Sequence, residues 1–119
     1  MRTPLEVTVL VLALAATLPA CAGGKPADGA AKAKEVCAAC HGADGNTPIA
    51  PDFPKLGGQH YDYLLHSLKA YKSGARKNAV MAAQVEKLST RDMENLAAYY
   101  AAQKGSLHVV PLHRLAGDL

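Results

Sequence analysis

Across the middle of this chain the apolar positions recur at intervals of three and four residues. Tyr61, Leu64, Leu65, Leu68 and Tyr71 share one face of a helix, and Gly74 suits the left-handed residue that closes one. A second such face follows at Met93, Leu96, Ala97 and Tyr100. It is opened by the Ser-x-x-acid spacing of Ser89-Thr90-Arg91-Asp92, a capping-box signature, and it stops at Gly105. Residues 30–40 are rich in Ala, Lys and Glu, which favour helix, and Asp28 is placed to cap them. Ahead of that helix, Lys25 to Gly29 reads as a Gly/Pro-rich linker. Residues 42–59 hold four Gly and three Pro, among them Pro48, Pro51 and Pro54, and show no helical period. A loop of about 18 residues is uncommon in a small domain unless it packs on something functional. Ala75 to Val80 is a short basic link to a further short helix. Only Leu107 to Val110 hints at strand alternation, and there is no internal repeat. The pattern predicts an all-α protein.

Length allows one domain: 119 residues, half of them hydrophobic, with five Tyr, one Phe and no Trp. Residues 1–22 have the layout of an export signal, with Arg2, the apolar run Val7 to Leu18, and small residues at its end. Ala20-Cys21-Ala22 fits ordinary cleavage, Leu18-Pro19-Ala20-Cys21 resembles a lipobox that would lipidate Cys21, and an uncleaved anchor is a third reading. All three put the domain outside the cytoplasm, so a periplasmic location is expected, with membrane attachment only through Cys21 or an uncleaved segment. With 23–28 as linker and 106–119 as tail, the folded part is 29–105, roughly eighty residues, a size at which buried apolar area is scarce and a metal, cofactor or cross-link usually helps. The net charge of +3 is modest and scattered, which argues against a nucleic-acid-binding protein.

Cys37-Ala38-Ala39-Cys40-His41 is C-x-x-C-H, the attachment sequence of a c-type haem. Cysteines at i and i+3 project from one face of a helical turn, so two sulfurs can bond neighbouring vinyl groups of the porphyrin. The adjacent His can then reach the iron. A zinc half-site would want a second Cys/His pair, and a thioredoxin-like pair would want a βαβ frame; the sequence offers neither. A flat apolar macrocycle among Leu56, Leu64, Leu68, Met81 and Leu96 would supply the core that few aromatic residues can provide.

Six residues could face His41 across the ring: Met81, Met93, His60, His66, His108 and His113. Met93 belongs to the apolar face of the last helix and reads as core filler. His60 and His66 flank the stripe of the middle helix, and His108 and His113 lie in the tail. Met81 stands alone at the junction of link and short helix, where a loop could carry its thioether over the ring. It is the expected ligand, with His60 next.

Taken together, Gly29, Cys37 to Gly42, Asp44-Gly45, Pro54-Lys55-Leu56-Gly57-Gly58-Gln59, Tyr63-Leu64, Gly74-Ala75-Arg76, Met81 and Leu96 to Tyr100 resemble a class I cytochrome c. The likeness is to the short bacterial periplasmic kind and to one half of the two-haem bacterial cytochromes, over residues 27 to 105. It implies a small helical domain wrapped around one covalently bound haem c with its iron. By that resemblance Pro54 would offer its carbonyl to His41, Arg76 would lie near a haem propionate, and Gly29 would let the first and last helices cross against Leu96 and Tyr99. One C-x-x-C-H implies one haem, and the tail from Leu107 has no counterpart in the family. With His41 and Met81 both on the iron, the expected function is an electron carrier rather than an enzyme. It would be a monomer shuttling single electrons between an unidentified donor and acceptor, and docking them at the haem edge near Lys55 and Lys77. The alternatives are a haem subunit of a dehydrogenase or oxidase complex, or a five-coordinate haem sensor or enzyme if Met81 is not a ligand.

Overall fold

A computed structural model describes residues 23–106. The expected signal with Cys21, and the tail residues 107–119 with His108 and His113, lie outside the described residues. Among the described residues the regular structure is entirely helical. Helix α1 (Pro26–Lys32) runs through a π-helical turn (Ala33–Cys37) into the short α2 (Ala38–His41). After a long loop come α3 (Tyr61–Ser73), α4 (Ala79–Val85) and α5 (Thr90–Ala101). No described helix is long and apolar enough to cross a membrane.

The first helix starts earlier than its composition suggests. Pro26 occupies the first turn, where a missing N–H costs nothing and the fixed φ favours helix. The expected linker therefore gives up residues 26–28 to α1. Asp28 does not cap the helix; it sits within the first turn, where its charge complements the helix dipole. The Lys25 N–H is instead taken by Asn95 Oδ1 of α5 at 2.7 Å. Gly29 is buried at the crossing of α1 and α5, and a Cβ there would meet the Asn95 carbonyl oxygen at 2.1 Å and Tyr99 Cβ at 2.9 Å. The contact runs through Asn95 and Tyr99, and Leu96 lies one position further round, in the core.

Helix α3 ends at Gly74 in the left-handed conformation (φ 79°), and the Arg76 N–H returns to the Ala70 carbonyl at 3.0 Å. The Lys72 ammonium donates to the Leu88 carbonyl, tying α3 to the corner between α4 and α5. The capping box of α5 forms as its spacing predicts: the Ser89 hydroxyl accepts from the Asp92 N–H, and Asp92 accepts from the Ser89 N–H. Leu64, Val85, Leu88, Met93, Leu96, Ala97 and Tyr100, with Ala33, make the buried core. Residues 42–60 fold back on that core without regular structure. Leu56 N–H donates to the Gly45 carbonyl at 2.7 Å and Gly58 N–H to the Tyr100 carbonyl at 2.9 Å, so the loop is sewn to the end of α5.

Candidate functional site

The site is built on the turn that follows the π-helical segment. An i→i+5 turn admits one extra residue and shifts the phase of everything after it. Here it ends at Cys37, and Cys37, Cys40 and His41 all reach the wall of one cavity of about 750 Å³. That size falls within the roughly 300–1,000 Å³ typical of cofactor and ligand sites. His41 is 5% exposed, and its Nδ1 lies 2.8 Å from the Pro54 carbonyl oxygen. A carbonyl only accepts, so Nδ1 carries the proton and Nε2 keeps its lone pair. Phe53 meets the imidazole edge-on at 6.1 Å between ring centres. The long loop thus holds the histidine on two sides.

Leu64, Leu68 and Leu96 line the same cavity from α3 and α5, and Leu56 lines it from the loop. The space between these leucines is apolar, as a porphyrin face requires. Tyr100 also reaches the wall, its buried hydroxyl beside the Cys37 thiol. Burial pushes the Cys37 thiol up to about 11, the neighbouring Tyr100 hydroxyl acting in the opposite direction. Burial likewise raises the Tyr100 phenol, with the Cys37 sulfur adding to it. A neutral sulfur in apolar surroundings suits a thioether better than a metal thiolate. Among the described residues no three His, Cys, Asp or Glu side chains gather where a bare ion could be held. The donor set and the leucine-lined space fit a haem.

Arg76 is on the wall too. The turn after Gly74 directs it back over α3, where Nη1 donates to Ser67 Oγ at 3.2 Å and the guanidinium sits 4.9 Å from the Tyr71 ring centre. The same guanidinium holds the Tyr63 phenol below its ordinary value.

Met81 lies on the cavity wall, but within the first turn of α4 and not on a loop. The helix begins there because Asn78 caps it, its side chain accepting the Met81 N–H at 2.9 Å. The cavity therefore brings together Cys37, Cys40, His41, Pro54, Leu56, Arg76 and Met81. It does not bring in Met93, which is 4% exposed in the core, nor His60 and His66, which are exposed. Lys55 is on the wall and donates to Ser106 Oγ at 3.3 Å, whereas Lys77 is not. Sequence reasoning missed Asn78, Ser67 and Tyr63. Asn78 was detectable as a preferred capping residue three places before Met81, and Ser67 as a polar residue beside the Leu64/Leu68 stripe.

Comparison with known proteins gives a consistent result. A family model described as cytochrome c matches residues 26–103. Cytochrome c4 of Pseudomonas aeruginosa is 49% identical over 98 residues, covering 82% of this chain and 48% of that protein. The thiosulfate dehydrogenase electron acceptor of Thiomonas intermedia is 40% identical over 104 residues, covering 86% of this chain and 48% of that protein. Among solved structures, reduced recombinant cytochrome c4 from Pseudomonas stutzeri superposes with a TM-score of 0.65 at 40% identity, covering 76% of this chain and 51% of that one. The chain spans about half the length of these relatives.

Proposed function

Because the chain belongs to the cytochrome c family, a class I cytochrome c resembling half of a two-haem protein, we propose that it is a periplasmic carrier of single electrons. In this reading Cys37 and Cys40 hold its haem c while His41 and Met81 ligate the iron. The bound haem supplies a one-electron ferric/ferrous couple. The observation that carries the ligand assignment is the shared cavity wall, with His41 held by Pro54 so that Nε2 is the free nitrogen and Met81 presented by a capped helix.

The chain's own residues then have definite tasks. His41 and Met81 would together hold the iron, which would leave no ligand position for substrate or dioxygen. Leu56, Leu64, Leu68 and Leu96 exclude water, and a dry, thioether-ligated site favours the reduced state. Arg76 makes no ion pair with a carboxylate among the described residues, and its charge on the wall suits a haem propionate. Donor and acceptor would approach the haem edge beside Cys40, near Lys55 and the exposed Ile49, in the small transient contacts usual for redox partners.

The test is the ferric absorption spectrum of the exported protein, with mass analysis for covalent haem. A Met–iron charge-transfer band at the red end is expected, and Met81→Ala should abolish it and lower the midpoint potential. A native spectrum without that band would establish a five-coordinate or bis-histidine protein. A second reading, acceptor for a dehydrogenase, is favoured by the likeness to a thiosulfate dehydrogenase electron acceptor. Co-purification with a dehydrogenase, against isolation as a free monomer, separates the two.

A further inference from the structure

We propose that Asn78 is a positioning residue for Met81, its side chain holding the thioether in place by fixing where α4 begins; this rests on Met81 being the sixth ligand. Helix α4 has only seven residues, Ala79–Val85, too few to persist on local propensity. Its far end is anchored, because Val85 is 1% exposed and Leu88 5% exposed. Met81 and Val85 fall at i and i+4, on one face, and Leu88 is buried just past the helix in the corner before α5. Burial thus sets the rotation of the helix and grips its C-terminal side hardest, Met81 being only half-buried where it packs against the core.

The near end is held less firmly, with the half-buried Met81 set among exposed neighbours. Asn78, Ala79, Val80, Ala82 and Ala83 are all exposed. What closes the first turn is Asn78 itself: its Oδ1 accepts the Met81 N–H at 2.9 Å and its main-chain carbonyl accepts the Ala82 N–H at 2.9 Å. One side chain therefore bonds directly to the backbone of the residue that must reach the iron. Asn78 lies on the cavity wall as well, so its bond to Met81 is made at the edge of the haem space. Without the cap, the first turn can fray while Val85 and Leu88 stay packed, and the fraying residue is Met81.

The experiment uses the ferric holoprotein and imidazole, which competes with the thioether for iron. Asn78→Ala should bind imidazole more tightly, by the roughly fivefold expected from losing one N-cap, and should lose the Met–iron band at a lower imidazole concentration than the native protein. Asn78→Ser and Asn78→Asp, which keep an acceptor at the cap, should restore both readouts toward native. If Asn78→Ala does not accumulate, Asn78→Gly replaces it and should fall between native and the full loss. Native imidazole affinity in the variant lacking the acceptor overturns the inference, and so does failure of both Ser and Asp to restore it. A native ferric protein without the Met–iron band overturns the ligation itself and this inference with it. A purely structural role would lower the melting temperature and leave the competition unchanged.

Discussion

Arg76 shows how one side chain can be committed to a site by contacts that leave its charge uncompensated. Ser67 accepts one hydrogen bond, Tyr71 offers a ring face, and the phenol of Tyr63 lies alongside. None of the three is an anion at neutral pH, so the cation remains available to the cavity. Replacing it by leucine should lower the midpoint potential on the order of tens of millivolts, since a nearby positive charge favours the reduced, less positive iron. Potentiometry on Arg76→Leu checks this, and an unchanged potential would place Arg76 outside the field of the haem. The same substitution releases Tyr63. Its phenol is depressed in the folded chain relative to an ordinary value of 10.0. The associated stability is therefore present above that pH and lost as pH falls through the lower folded value, and it contributes nothing at neutrality. In Arg76→Leu the tyrosinate absorbance of Tyr63, identified by its loss in Tyr63→Phe, should rise at higher pH than in the native protein.

At the scale of elements, the best-specified helix is α5. The Ser89–Asp92 box is reciprocal, and hydrogen bonds from Ser89 hold the Asp92 carboxyl below the usual carboxylate range. Ser89→Ala should cost about 1 kcal/mol in denaturant melts near neutral pH. Asp92 is depressed, so the carboxylate's share of that difference is present above its ordinary value of 3.8 and vanishes as pH falls through the lower folded value. The gap between native and variant should therefore narrow in acid. This box, the α3 stripe, the Gly74 stop and the C-x-x-C-H turn were legible because each is written in residues close together in sequence. The start of α1 was not. Gly29 and Pro26 look like linker residues until α5 is placed against them, and the decisive partner, Asn95, lies about seventy residues away. Nor was the π-helical turn legible, because Ala33 to Cys37 has the composition of ordinary helix. Met81 was found as a candidate by its isolation. The short helix after the link is expected from the sequence, but it begins at Ala79, inside the expected Ala75 to Val80 link, because Asn78 caps it; asparagine is among the residues most favoured at a helix start.

For the whole molecule, the deciding quantity is the cavity against the size of the core. The residues that could have closed the interior, among them Leu64, Leu96 and Tyr100, face a space of about 750 Å³. Staying dry without a ligand is not open to a cavity that communicates with solvent and carries polar groups on its wall. Flooding it instead would wet the same leucines and return their burial energy to solvent. A chain without haem therefore keeps the direct packing of α3 on α5 but lacks the filling that leaves Leu56, Leu64, Leu68 and Leu96 dry. Thioether links at both cysteines would make the attachment permanent, so removing them would remove the cofactor and with it the filling of the cavity. Cys37→Ala with Cys40→Ala, exported under the same conditions, should give a chain with reduced helicity and no cooperative thermal transition by circular dichroism. A cooperative melt in that double variant would mean that the helices close on one another without haem, and that the cavity is a consequence of its ligand and not the frame built to receive it.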